Sequence, residues 1–149
     1  MKFIDNKNIK LIIAGEFYEP IEKYLNIIKN LGLDDKIIIK NEFLDSKMIR
    51  DFICASDLII QPYIKASQSG ITPLCYFYET PSVVSNIDGL KEIILKDKSG
   101  TTFEKTPKSL STAIIESLDK QKNNNYIINI KRSKKNYTWL SFVKELEEL

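Results

Sequence analysis

Compact apolar runs alternate along this chain with longer segments in which apolar residues recur every three or four positions. Runs of the first kind predict buried strands, and segments of the second kind predict amphipathic helices. Residues 10–14 form the first run, and Gly15 closes it. Residues 18–31 predict a helix: Pro20 fits its first turn, Ile21, Tyr24, Leu25, Ile28 and Leu31 share a face, and Gly32 supplies the stop. Residues 36–40 predict a second strand. A helix capped by Asp45 or Ser46 follows to about Ala55, with Met48, Ile49, Phe52 and Ile53 apolar. Residues 57–61 predict a third strand, stopped by Pro62, and residues 69–78 a helix. Residues 81–85 predict a fourth strand, 89–95 a short helix and 101–103 a short edge strand after the Ser99-Gly100 turn. Thr106 caps a helix to about Leu118, with Pro107 at its first position.

The pattern then changes. Residues 120–125 are polar and read as loop, and residues 126–131 are apolar at helical or strand spacing. Residues 131–135 are a basic cluster. Tyr137, Trp139, Phe142, Val143, Leu146 and Leu149 fit an amphipathic terminal helix. The strands are short and rich in Ile and Val, as strands covered on both faces are. Strands alternating with helices predict an α/β fold with a Rossmann-like open parallel sheet and helices on both faces. Ligands of such sheets bind beyond the carboxyl ends of the strands.

The chain has 149 residues, enough for one ordinary domain with a core of its own. Hydrophobic residues make up 43% and charged residues 28%, which places it among globular rather than disordered proteins. The formal net charge of +2 singles out no class of partner. Cys54 and Cys75 stand in apolar helical contexts and read as buried free thiols, not as a disulfide framework, which points to a reducing cytosol. The absence of histidine removes the commonest zinc ligand and the commonest neutral-pH base. No apolar run approaches the roughly 20 residues of a membrane span. The N-terminus lacks the apolar core of a signal peptide, so a cytoplasmic location is expected.

Three candidate sites lie at predicted carboxyl ends. Ser67-Gln68-Ser69-Gly70, continued by Ile71, joins the third strand to its helix. Such a turn leaves backbone N–H groups free for an anion, and Gly70 lets a ligand approach closely. The plainer reading is a helix start capped by Ser69. Gly89 and Glu92 follow the fourth strand. Gly89 could open a second helix N-terminus to a ligand, and Glu92 suits the helix dipole whether or not a ligand binds. Gly15 and Glu16 follow the first strand, where Glu16 is a ligand contact or a solvated turn residue. The basic cluster could meet phosphate, headgroups or RNA, yet a solvated helix face explains it as well. Without aromatic interleaving no nucleic-acid groove is expected, and membrane contact is peripheral at most.

In order and spacing these segments resemble the C-terminal domain of group 1 (family 4) glycosyltransferases, which have the two-domain GT-B architecture. The resemblance runs from about Lys10 to Leu149. It rests on Leu11-Ile-Ile-Ala-Gly15-Glu16, on the segment from Ala55 to Tyr63, and on Ser67-Gln68-Ser69-Gly70 as a variant of the donor loop. Pro81 to Glu92, Ser99-Gly100 and Tyr137-Thr138-Trp139 complete it. It implies transfer of a sugar from a nucleotide-diphosphate donor to an acceptor, with retention at the anomeric carbon and no metal or other cofactor. It implies that Ser69, Gly70 and Ile71 offer N–H groups to the diphosphate. Ser67 and Gln68 belong to the same loop, Gly89 and Glu92 lie near nucleotide or sugar, and Gly15 and Glu16 border the base.

Many family members carry two glutamates eight positions apart around this loop. The corresponding positions here are about Ala66 and Leu74, and Glu79 does not replace the pair. The cations that clamp the diphosphate in the family lie upstream of the strand before Gly15, where this chain has nine residues. The resulting expectation is a single domain over residues 1–149. It would lack the N-terminal acceptor domain and the first strand and helix of its own domain. Such a chain would bind an NDP-sugar but be inactive without an N-terminal domain or partner subunit, and no catalytic residue is assigned. The alternative is a degenerate interaction module that keeps the fold without donor binding. A response-regulator-like domain is a third reading, disfavoured because no acidic cluster for magnesium follows the first strand.

Overall fold

A computed structural model describes residues 8–138 together with Met1, Phe3, Ile4, Ser141, Val143 and Glu147. The chain divides into two compact units, Met1–Asp51 and Phe52–Leu149.

In the first unit β1 (Leu11–Ala14) pairs in parallel with β2 (Ile37–Lys40), and α1 (Glu22–Asn30) connects them. Helix α1 begins later than its periodicity suggests, two residues beyond Pro20. It ends as expected at Gly32, whose φ of +61° lets the Leu33 N–H fold back onto the Ile28 carbonyl at 3.0 Å. The expectation of strands covered on both faces fails here. Ile12 and Ile38 are register partners on one face of the pair, and they stay 42% and 43% exposed. Helix α2 (Ser46–Ala55) starts in this unit, and the Asp45 carboxylate accepts the Met48 N–H at 2.7 Å as its cap.

In the second unit β3 (Ile59–Gln61), β4 (Ser82–Ser85) and β5 (Gly100–Phe103) form a parallel sheet in the order β3-β4-β5. Between them run α3 (Ile71–Phe77) and α4 (Lys91–Asp97), and α5 (Pro107–Ser117) and α6 (Lys120–Ser133) follow. All four residues of β4 are buried. Val84 packs with Tyr76, Leu90, Ile94 and Ile130, drawing in α3, α4 and α6. Val83 packs with Phe103 and Ala113, drawing in β5 and α5. Neighbouring strand residues point to opposite faces, so this sheet is covered on both sides, as its apolar strands predict. Gly100 permits the close β4–β5 pairing, since a Cβ there would lie 2.0 Å from the Ser82 carbonyl oxygen.

Two further expectations need correction. Residues 120–125 are helix rather than loop. The Asp119 carboxylate accepts the Lys122 N–H at 3.0 Å, and the Asn123 amide donates to the Asp57 and Ser117 carbonyls at 3.1 Å each. Tyr126 and Ile130, one turn apart, then bury themselves, and tertiary packing outweighs the polar composition. Cys54 is exposed, not buried. Cys75 is buried as expected, and burial pushes its thiol up to about 12.

The basic cluster has a structural role. Lys131 and Lys134 both pair with Glu79, which ends α3 with a left-handed φ of +62°. The Lys134 ammonium beside it holds the Glu79 carboxyl below its ordinary value. Beyond α6, Tyr137 lies in a short 3-10 turn (Lys134–Tyr137). It stacks edge-on against Tyr76 at 5.4 Å, and both hydroxyls donate to Asp97 at 2.8 Å. Ser141, Val143 and Glu147 are helical, whereas Trp139, Phe142, Leu146 and Leu149 of the expected terminal helix lie outside the described residues.

Replacing the fully buried Ile94 with Ala should cost about 2–5 kcal/mol in urea denaturation, while Leu95→Ala on the exposed side should stay within about 0.5 kcal/mol. The Glu79 carboxyl is depressed in the folded chain, so its contribution is present above the ordinary value of 4.5 and lost as pH falls through the folded value. Glu79→Gln should therefore lower the melting temperature near neutral pH, and the gap from the parent chain should close in acid.

Candidate functional site

The carboxyl ends of β3, β4 and β5 open on one edge, and the loops leaving them meet there. Residues 64–66 beyond β3, residues 86–88 and Lys91 beyond β4, and Lys105 beyond β5 line a crevice of about 410 Å³. Ala66 and Ile87 pack onto the core beneath.

The turn from β3 to α3 borders this crevice. Gln61 ends β3 in full burial, and its side-chain carbonyl accepts the Thr72 hydroxyl at 3.1 Å. That bond ties the strand end to the first turn of α3. The Ser69 hydroxyl accepts the Ile71 N–H at 3.1 Å and lies 3.4 Å from the Tyr63 hydroxyl. Ser69 thus satisfies the first N–H of the helix from one residue before the cap position, which Gly70 occupies. The same bond gives the Ile71 N–H an acceptor within the chain. Gly70 has an ordinary φ of −65°, and a Cβ built on it meets nothing within 4 Å, so the turn faces open space there.

Gly89 makes a close backbone contact. Its φ is +85°, and a Cβ would lie 2.0 Å from the Ser67 carbonyl oxygen. The space left by its missing side chain is filled by the β3 loop. The Gly89 N–H donates to Glu92 at 2.8 Å, so Glu92 closes this helix start in the manner of a capping box. A residue with this φ cannot be helical, which is why α4 begins at Lys91 rather than at Gly89. Ser67 and Gly89 are therefore brought together, with Gln68, Ser69 and Gly70 exposed or half-buried on the adjoining turn. Gly15 and Glu16 stand in the first unit at the end of β1. Gly15 has φ +134° and open space around it, and Glu16 is exposed.

The lysines of the crevice are absent from the sequence-derived site. Lys91 pairs with Asp88 at 2.7 Å, and that bond raises its pKa. Lys105 donates to the Ile64 carbonyl at 2.8 Å across a separation of 41 residues. Lys65 has no hydrogen bond or ion pair among the described residues. Asn86 donates to Glu104 at 2.6 Å. Lys65 and Lys105 each follow a predicted strand within four residues or so, so applying the carboxyl-edge rule to cations would have found them.

With this geometry in view, the comparisons with known proteins are direct. The family described as glycosyl transferases group 1 matches residues 1–134. The chain belongs to that family. Its parallel sheets flanked by helices are those of the C-terminal domain of a GT-B glycosyltransferase. An uncharacterized glycosyltransferase of Methanocaldococcus jannaschii is 26% identical over 150 residues, which cover 97% of this chain and 37% of that protein. Anabaena HepE, solved in complex with UDP, superposes with a TM-score of 0.76 at 15% identity over 97% of this chain and 42% of its own. The WaaG glycosyltransferase of lipopolysaccharide biosynthesis gives 0.73 at 13% identity over 85% and 34%. Sucrose-phosphate synthase of Thermosynechococcus elongatus gives 0.74 at 14% identity over 93% and 36%. The group 1 domain thus spans between a third and about two-fifths of these proteins. No described helix is long and apolar enough to cross a membrane.

The two loop glycines should respond oppositely to alanine. Gly89→Ala meets both a left-handed φ and the Ser67 backbone, and should lower stability by more than about 1 kcal/mol. Gly70→Ala should stay within about 1 kcal/mol of the parent chain by denaturant unfolding.

Proposed function

We propose that this chain is the donor-binding part of a glycosyltransferase, holding a nucleoside-diphosphate sugar at the carboxyl edge of β3 and β4. The observation that carries the reading is the open turn at Gly70, braced from behind by the close fit of Gly89 on Ser67. Family membership and the UDP complex of a structural neighbour support the same reading. Because Ser69 takes up the Ile71 N–H, the Ser69 and Gly70 N–H groups are the ones left for the diphosphate. As the bond to the sugar breaks, negative charge builds on the diphosphate, and preorganised donors there lower the barrier. This needs no metal or other cofactor. Glu92 and Gly89 act by shaping the loop.

In this reading the reaction retains anomeric configuration. The acceptor is bound by an N-terminal domain or a partner subunit, and the chain alone does not catalyse transfer. Calorimetric titration with UDP and GDP should show weak binding. Gly70→Asp should abolish it while leaving the melting temperature near that of the parent, since the added side chain enters open space. The same preparation should transfer no sugar to an added acceptor. Absence of binding to either nucleotide, or binding that survives Gly70→Asp, overturns donor binding. Sustained transfer by the chain alone overturns the need for a second domain.

A further inference from the structure

Strand β3 ends on a polar side chain that the fold encloses. Gln61 follows Ile59 and Ile60 and is only 2% exposed, at the carboxyl end from which the loop to the Gly70 turn departs. Its side-chain carbonyl accepts the hydroxyl of Thr72, which is buried as well. Its Nε2 is buried and has no hydrogen-bond partner among the described residues. From the sheet side, the Ser85 hydroxyl of β4 donates to the Gln61 backbone carbonyl at 3.4 Å.

Stability alone does not account for this arrangement. An enclosed amide N–H without an acceptor is unfavourable, and an apolar pair of the same shape would remove that penalty together with the bond. What an apolar pair would not supply is direction. Hydrophobic contact is non-directional and tolerates sliding, whereas a hydrogen bond fixes both distance and angle. Thr72 stands two residues after Gly70, so its bond to Gln61 sets where the first turn of α3 sits against the strand end. The Ser69 hydroxyl, bonded to the Ile71 N–H, carries that placement back into the turn. We infer that Gln61 and Thr72 are a positioning pair for the Gly70 turn, fixing the Ser69 and Gly70 N–H groups at the expense of stability. This rests on the donor-binding reading given above and names the residues that orient its diphosphate contacts.

The test uses a Gln61→Met/Thr72→Val double variant of the full chain, with Thr72→Ser as the single variant that keeps the hydroxyl. The double variant should melt at or above the temperature of the parent, because both polar partners leave together and neither is stranded. Its affinity for UDP, followed by NMR titration, should nevertheless fall about tenfold, since N–H groups out of line bind an anion poorly. Thr72→Ser should bind UDP within about twofold of the parent, although it removes a buried methyl group. A packing role predicts the reverse order, with the apolar pair harmless to binding and the serine harmful. Unchanged UDP affinity in the double variant overturns the inference and leaves donor binding standing. A double variant that melts well below the parent also overturns it, since the pair would then serve the fold. If the parent chain binds no UDP, the donor-binding reading falls, and backbone amide relaxation at Ser69 and Gly70 decides the pair's role. Lower order parameters there in the double variant sustain positioning of the turn, and equal ones overturn it.

Discussion

Strand β4 has no exposed face, and the second unit is organised around that fact. Val83 and Val84 are each fully buried but belong to different clusters, one under α5 and one under α3, α4 and α6. A strand covered on both sides can pair on both edges without exposing its backbone, so β3 and β5 take up parallel register beside it. Parallel pairing then sends the loops after all three strands to the same edge. The crevice, the Gly70 turn and the crevice lysines are consequences of this placement.

At that edge a single close approach sets the geometry. The Ser67 carbonyl occupies the place where a Cβ of residue 89 would be, so the β3 loop rests on the β4 loop without an intervening side chain. The Gln61–Thr72 bond fixes the strand end to α3, and Glu92 closes the start of α4. Loops held this way can present backbone N–H groups and cations at fixed positions, which is what stabilising a developing anion requires. The distal side is secured separately. Glu79 with Lys131 and Lys134, and Tyr76 with Asp97 and Tyr137, hold α6 and the segment after it against α3 and α4. The basic cluster is thereby accounted for as a structural clamp.

Much of this was legible in the residues. The Ile- and Val-rich runs marked β1 to β4, and the Ser99-Gly100 turn marked β5. Thr106 and Pro107 marked the start of α5 for a local reason that needs no tertiary partner. Residues 120–125 misled because their helix depends on partners far away in sequence, including the Asp57 carbonyl that Asn123 reaches. The candidate site was half legible. Ser67, Ser69 and Gly70 stood out by residue type, whereas Lys65 and Lys105 did not, since a lone lysine carries no local signal of what surrounds it.

The sequence by itself determined the alternation of strands and helices and the parallel pairing, because periodicity and turn chemistry are local. Only the tertiary structure decided what each glycine is for. Gly70 faces open space while Gly89 is filled by the Ser67 backbone, and no pattern within either loop distinguishes the two. It also decided that Lys65 and Lys105, 40 positions apart, share one crevice. The physical reason is the same in both cases: close approach and net charge are properties of what the fold brings together, not of the segment that supplies the residue.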